Sequence, residues 1–339
     1  MRVGVTGGAG FIGGHVIDVL YERGHEAVVF DHRGRPGPRV ADGFVPERML
    51  GDTRDEVSVT ELAAHVDGII HLASVLGTQE TVFNPRPAVM TNVISGMNVF
   101  EAGVQYDLPV VNIAVGNAGF SNPYSASKTC VETLGHMYVR DRGLRLNQVR
   151  LVNAYGPRQS VAAPYGTSKV RKITPAFVCR ALTGAPVEVY GDGKQVSDMV
   201  WVRDGALALV LALESAAAGT VVPRVMECGP LDHTAVVEVA ELVIAEAEKL
   251  TGRRSEIVHL PMRPGETPGA YVTCDPETLG PIGMDPADLK PLAEGIAETV
   301  LWYARNWLPR WRAETPQPWC VEQRRGDCGW CSPACRDLA

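Results

Sequence analysis

The chain has 339 residues, 45% of them hydrophobic and 21% charged, with a formal net charge of −7. These are the proportions of an ordinary globule with room for one large core and a smaller lobe, so wholesale disorder, a rod-like repeat and a short peptide scaffold are excluded. The acidic balance leaves no basic footprint for a phosphate backbone, which excludes dedicated nucleic-acid binding and assigns any bound phosphates to small molecules.

From Arg2 to about Leu151, short β-branched runs alternate with helix-period segments, the pattern of a parallel sheet with crossover helices. Strands are predicted at 3–6, 27–30, 68–72, 110–114 and 147–152. Between the first two, Ile12, Val16, Val19 and Leu20 recur at helical spacing, and Gly24 stands where a helix would stop. Past Gly156, Pro157, Pro164, Pro175, Pro186 and Pro223 punctuate shorter elements, which predicts a second, smaller lobe. A helix over about 291–307 carries Leu292, Ile296, Val300 and Tyr303 on one face, and the stretch after Pro309 is rich in Trp, Pro and Cys without periodicity. The longest strongly apolar stretch, around 206–213, falls far short of the roughly 18 residues a membrane span needs. The chain starts directly in a strand pattern with no apolar leader, so a cytoplasmic protein without a membrane partner is expected.

Thr6-Gly7-Gly8-Ala9-Gly10-Phe11-Ile12-Gly13 closes the first strand and opens the first helix. Glycines at a three-residue spacing let the chain turn tightly and let backbone N–H groups approach a pyrophosphate, and the helix N-terminus adds its positive dipole end. Such a turn is weak evidence by itself. Here it is answered by Asp31 at the end of the second strand, where a carboxylate accepts from both ribose hydroxyls. An acidic group there repels a 2′-phosphate, which points to NAD; Arg33 and Arg35, which argue the other way, read as solvated loop charges. Gly7, Gly10, Phe11, Ile12, Gly13 and Asp31 are the expected cofactor contacts.

Tyr124-Ser125-Ala126-Ser127-Lys128 places a phenol and an ammonium four residues apart, on one face of a helix if Pro123 starts it. A phenol near pKa 10 is a poor base at neutral pH, but a neighbouring ammonium and a nicotinamide cation both favour the phenolate. Tyr124 is the candidate catalytic base, and Lys128 its partner and a ligand of the nicotinamide ribose.

Further motifs follow in order: Gly51-Asp52 after a third strand, His71-Leu72-Ala73-Ser74, Asn92 in a helix, the run from Val149 to Pro157, Val189-Tyr190-Gly191-Asp192-Gly193, and Arg263-Pro264-Gly265-Glu266. With the glycine turn and the Tyr124/Lys128 pair, they make the sequence resemble the extended short-chain dehydrogenase/reductase family, the NAD-dependent nucleotide-sugar epimerases and dehydratases, over about residues 1–308. The resemblance implies an α/β fold: a doubly wound parallel (Rossmann) sheet with a smaller C-terminal substrate lobe. The expected division is 1–156, mainly the NAD-binding domain to which later strands can return, 157–308, mainly the substrate lobe, and a 309–339 tail. It further implies that Asp52 binds the adenine amine, that Leu72, Ala73 and Ser74 run along the cofactor, that Asn153 touches a nucleoside-diphosphate sugar, that Tyr190 lines its base and that Arg263 pairs with its diphosphate. Core packing and loop capping are the plainer readings of Tyr190 and Asn153. A homodimer through helices near 92–102 and 124–140 is implied as well.

Departures from the family pattern bear on the reaction. Where the family places a Ser or Thr hydroxyl after the strand ending near Ile113, this chain has Val115, and where the 4,6-dehydratases carry an acidic pair it has Gly116-Asn117. Dehydration needs an acid and a base beside the sugar, and decarboxylases expect a carboxylate at the same place, so both are disfavoured. The connection from Asn117 to Tyr124 is short, and Asn117 is expected to donate its amide where the hydroxyl is missing. Ser197 stands where the family commonly has Arg, so one phosphate clamp is lost. Lys169, Arg171 and Lys172 are candidates to replace it, Lys172 foremost, unless they form a solvated loop face. The favoured activity is epimerisation through transient oxidation of a sugar hydroxyl at C4. The alternatives are dehydration or decarboxylation through the same keto-sugar, and a non-catalytic NAD-binding regulatory or scaffold protein.

Of the eight cysteines, Cys130, Cys179, Cys228 and Cys274 sit singly in helix-like or strand-like segments and read as buried hydrophobes. Cys320, Cys328, Cys331 and Cys335 crowd into sixteen residues, enough thiols for a tetrahedral zinc site, although the spacing matches no known module. A metal knuckle and an oxidisable tail both remain open, and Trp311, Trp319 and Trp330 offer a third reading, packing onto the body or a partner subunit. No metal ligand is assigned.

Overall fold

The computed structural model describes residues 1–32 and 46–314. The chain opens with β1 (Arg2–Thr6), α1 (Phe11–Glu22), β2 (Glu26–Asp31), β3 (Glu47–Leu50), α2 (Glu56–Ala63) and β4 (Gly68–His71). It continues with α3 (Thr78–Phe83), α4 (Pro85–Gln105), β5 (Val110–Ala114), α5 (Pro123–Arg142) and β6 (Leu146–Leu151). Then come α6 (Ile173–Thr183), β7 (Val187–Tyr190), β8 (Val196–Ser197), α7 (Val202–Ala217), β9 (Met226–Cys228), α8 (Val236–Thr251), β10 (Ile257–Leu260) and β11 (Tyr271–Val272). Two 3-10 turns, Pro276–Ile282 and Pro286–Asp288, precede α9 (Leu292–Asn306) and α10 (Leu308–Glu314).

The main sheet runs β3-β2-β1-β4-β5-β6-β9, with every pairing parallel. Its strand order reverses between β1 and β4, which opens a crevice outside their carboxyl ends, the place where dinucleotides bind in doubly wound sheets. Strands buried on both faces need apolar residues of both parities, and two cores result. One packs Val3, Val5, Ile70, Val111 and Val149 against α1 and α7; the other packs Val28, Ile69, Val110 and Leu146 against α2, α4 and α5. Each hydrophobic side chain so buried is worth about 1.5–3 kcal/mol.

Two compact units are distinguished. The first comprises Met1–Tyr155, Tyr190–Val236 and Leu260–Leu292; the second comprises Gly156–Val189, Val237–His259 and the chain from Ala293. In the first unit α1 ends at Glu22, and Gly24 takes the left-handed conformation that closes it (φ +77°). In the second, Trp307 stacks on Trp311 with ring centroids 5.6 Å apart, and Tyr165 lies against both.

Three local expectations are corrected. Cys130 is exposed, because it lies on the side of α5 turned away from the sheet. Cys274 lies in a loop, partly buried, with its thiol against Asp198. The segment after Pro309 begins as helix α10, where proline is tolerated because first-turn N–H groups have no intrahelical acceptor. Cys179 and Cys228 are buried, as read from the sequence. Arg33, Arg35, Trp319, Trp330, Cys320, Cys328, Cys331 and Cys335 lie outside the described residues. No helix among those described is long and apolar enough to cross a membrane.

Candidate active site

The glycine turn is built around close backbone approaches. Gly7 adopts φ +70°, and a Cβ there would lie 2.9 Å from Ala73 N; a Cβ on Gly13 would lie 2.6 Å from Gly7 O. α1 then starts at Phe11 from the N-cap Gly10 with no side-chain cap and no acidic residue in its first turn. The N–H groups of Gly10, Phe11, Ile12 and Gly13 thus begin a helix whose dipole end favours an anion. Asp31, at the end of β2 and buried, accepts from Ala9 N at 3.2 Å, which sets its carboxylate against the turn. A cradle with no room for a Cβ at Gly7 or Gly13, an uncapped helix start and a carboxylate beside them fit a dinucleotide.

The loop after β4 is pinned to the same place. Leu72 N and Ala73 N both donate to Thr6 Oγ1, at 3.1 and 3.3 Å. With two donors received, that hydroxyl gives its own hydrogen to His71 Nδ1 at 2.8 Å, and the network assigns the imidazole proton to Nε2. Ser74 follows, half-buried. Asp52, in contrast, is held by Arg54, whose guanidinium keeps its carboxyl below the usual range.

Pro123 occupies the first position of α5, and Asn122 caps it by accepting from Ser125 N at 3.0 Å. Tyr124 and Lys128 follow one turn apart on the same helix face. Lys128 is 3% exposed, and no hydrogen bond or ion pair engages its ammonium among the described residues. Burial lowers it to about 8, opposed by Glu132 one turn further on. Burial pushes the Tyr124 phenol up to about 12. His71 is driven down to about 3, first by burial and then by the Lys128 charge, so its imidazole is neutral.

Sequence reasoning missed two arrangements around this pair. Thr6, His71, Asn112 and Gln148 are register partners across β1, β4, β5 and β6, a polar rung on the α5 side of the sheet. Asn112 donates to Gln148 Oε1 at 3.0 Å, and Gln148 donates to the Glu132 carbonyl at 3.0 Å. Arg150 joins Glu132 at 3.1 Å and also pairs with Glu227. The only signal in the sequence was a polar residue inside each apolar strand.

Val115 is buried, and a Cβ on Gly116 would lie 3.0 Å from Leu151 O, so no carboxylate can stand at 116 without moving backbone. Asn117 is half-buried in the turn that follows, its carbonyl accepting from Phe120 N at 3.1 Å. Asn153, at φ +38°, spends its amide N–H groups on Ser197 Oγ (2.7 Å) and Asp198 O (2.9 Å). Arg263 lies over the Tyr190 ring, 4.8 Å from its centroid, and pairs with Glu266; its Nε is buried without a partner. In the second unit Lys172 is the N-cap of α6, while Arg171 is tied to Glu188 at 2.5 Å and so is a poor replacement clamp. Lys169 lies in the loop before it.

Comparison with known proteins adds to this geometry. The sequence profile of the NAD dependent epimerase/dehydratase family matches residues 3–229. A UDP-N-acetyl-alpha-D-glucosaminuronate decarboxylase of Bacillus cytotoxicus is 29% identical over 280 residues, covering 76% of this chain and 82% of that protein. A dTDP-glucose 4,6-dehydratase of Actinoplanes is 28% identical, covering 90% of this chain and 98% of the other. The crystal structure of Thermus thermophilus UDP-glucose 4-epimerase in complex with NAD superimposes with a TM-score of 0.76 at 29% identity, over 90% of this chain and all of that one.

Proposed function

The chain belongs to the NAD dependent epimerase/dehydratase family, and from that membership we propose that it epimerises a nucleoside-diphosphate sugar at C4. It is an NAD-dependent enzyme of the epimerase/dehydratase type, and its named relatives act on UDP- or dTDP-sugars. The observation that carries the finer reading is that the turn between β5 and the helix of the Tyr124/Lys128 pair, Val115-Gly116-Asn117, holds no carboxylic acid. Elimination and decarboxylation both call for an acid there, whereas epimerisation needs only one base that takes a proton and later returns it.

In this reading Gly7, Gly10, Phe11, Ile12 and Gly13 hold the pyrophosphate of NAD, Asp31 the adenosine ribose, Asp52 the adenine amine, and Leu72, Ala73 and Ser74 the length of the cofactor. Bound NAD supplies a reversible hydride acceptor. Tyr124 Oη takes the proton of the C4 hydroxyl. The charge of Lys128 opposes the burial that otherwise keeps the phenol protonated, and its ammonium also holds the nicotinamide ribose. Asn117 donates its amide to the reacting sugar oxygen, Asn153 contacts the sugar, Tyr190 lines the base, and Arg263 meets the diphosphate. The buried, unpartnered Nε of Arg263 supports that assignment. A second copy of this chain is the expected partner, across α4 and α5, where Met90, Cys130 and Met137 expose apolar surface.

The test is incubation of the NAD-loaded protein with UDP-glucose, UDP-galactose, UDP-glucuronate and dTDP-glucose, with products followed by NMR. Interconversion of the C4 epimers is the expected outcome. Release of carbon dioxide, or a 4-keto-6-deoxy product, would replace epimerisation by the corresponding lyase reaction.

A further inference from the structure

We propose that His233 is a phosphate contact: an imidazolium, braced from behind by the buried carboxylate of Asp198, that donates its outer N–H to an oxygen of the substrate diphosphate. The proposal rests on the nucleotide-sugar reading above and adds to it a residue that the sequence motifs did not single out.

The position comes from strand ends. His233 lies in the loop after the carboxyl end of β9, and Asn153 in the loop after the carboxyl end of the adjacent β6, the side of an open parallel sheet on which ligands gather. The His233 loop runs beside β8: Ser197 N donates to the Thr234 carbonyl at 3.4 Å, and Ala235 bridges Val196. Asn153 ties Ser197 and Asp198 to the same edge.

The chemistry comes from the pairing. The Asp198 side chain is fully buried, and its oxygens accept from His233 Nδ1 at 3.0 and 3.1 Å and from Cys274 N at 3.2 Å. The His233 side chain keeps 37% of its surface exposed, with the Tyr271 ring edge-on at 5.5 Å. Asp198 and Cys274 behind the ring, Tyr271 beside it and Asp232 next in the chain are the titratable groups around it. With Nδ1–H committed to a carboxylate, Nε2 is an acceptor in the neutral ring and a charged donor in the protonated one. A phosphate oxygen placed there draws a proton onto Nε2 and receives a charge-assisted hydrogen bond. β8 offers Ser197 and no cation, and the Arg263 charge is shared with Glu266, so a further positive group beside the diphosphate adds to its neutralisation.

The test is calorimetric titration of the NAD-loaded full chain with UDP and with dTDP near neutral pH, in two buffers of different ionisation heat, before and after His233→Asn. Asn keeps an amide donor for Asp198 and removes the cation. The unsubstituted protein is expected to take up protons with the ligand. H233N is expected to lose that uptake and to bind about tenfold more weakly, with the unfolding temperature of the ligand-free protein unchanged. Equal affinity and equal proton uptake in H233N would overturn the assignment of His233 and leave the nucleotide-sugar reading intact. If neither nucleoside diphosphate bound the unsubstituted protein, that reading would fall and the assignment with it.

Discussion

Asn92 on α4 donates through Nδ2 to Ser127 Oγ on α5 at 2.9 Å and to the Val75 carbonyl at 3.2 Å, while its Oδ1 accepts from Val75 N at 2.8 Å. A single amide, 2% exposed, thus couples the loop after β4 to the helix turn that carries Tyr124 and Lys128. Asn92→Ala strands buried polar groups on both sides, at a cost of about 2–4 kcal/mol. Urea denaturation is expected to register that loss, and turnover is expected to fall by about tenfold or more as the pair loses its alignment with the cofactor loop.

Tyr124→Phe removes only the proton-carrying oxygen. Turnover is expected to drop by about 10²–10⁴-fold, the usual range for a general acid–base group. NAD affinity, followed by protein fluorescence, is expected to hold, because the ring and the helix stay in place. A phenylalanine variant as active as the parent would remove Tyr124 from the mechanism.

Lys128 titrates at about 8 in the folded protein against its ordinary 10.5. Between those values the folded chain holds fewer protons than the unfolded chain, so stability rises with pH through that window and the full penalty of the buried charge is felt below about pH 8. The shift corresponds to about 3 kcal/mol. Lys128→Met is therefore expected to raise the unfolding free energy of the cofactor-free protein near neutral pH while abolishing turnover, and the gain is expected to vanish above about pH 10.5. Unfolding curves at three pH values check both the sign and the window.

Gly13→Ala puts a methyl 2.6 Å from Gly7 O and 2.7 Å from Gly8 Cα, both backbone atoms. The turn must open, at a cost of about 1–3 kcal/mol. Equilibrium dialysis is expected to show NAD affinity at least about tenfold weaker, the backbone cradle being lost. Gly280→Ala, with nothing within 4 Å of its added Cβ, is the control and is expected to change neither quantity.

Met90 and Met137 stand 53% and 44% exposed on α4 and α5. If those helices form the interface with a second copy, Met90→Asp together with Met137→Lys introduces charges that cannot be buried there without loss. Light scattering is expected to report a dimer for the parent chain and a monomer for the double variant.

What was legible in the sequence is local. Strand 110–114 is found at those bounds, Pro123 starts the predicted helix, and Asp31 closes β2 beside the glycine turn, because strand period, helix capping and turn stereochemistry are decided by residues within a few positions of one another. Several contacts that shape the site are instead long-range in the sequence. Thr6 and His71 stand in separate motifs, and Asn112 and Gln148 inside apolar runs, with nothing to join the four until parallel register lays them side by side. Asp198 and His233 are 35 residues apart, and the Arg150 guanidinium meets Glu132 and Glu227 from 18 and 77 residues away. A one-dimensional pattern carries the free energy of local conformation, whereas register and helix docking decide which buried charges share a low-dielectric neighbourhood, and hence how a phenol and an ammonium one turn apart titrate.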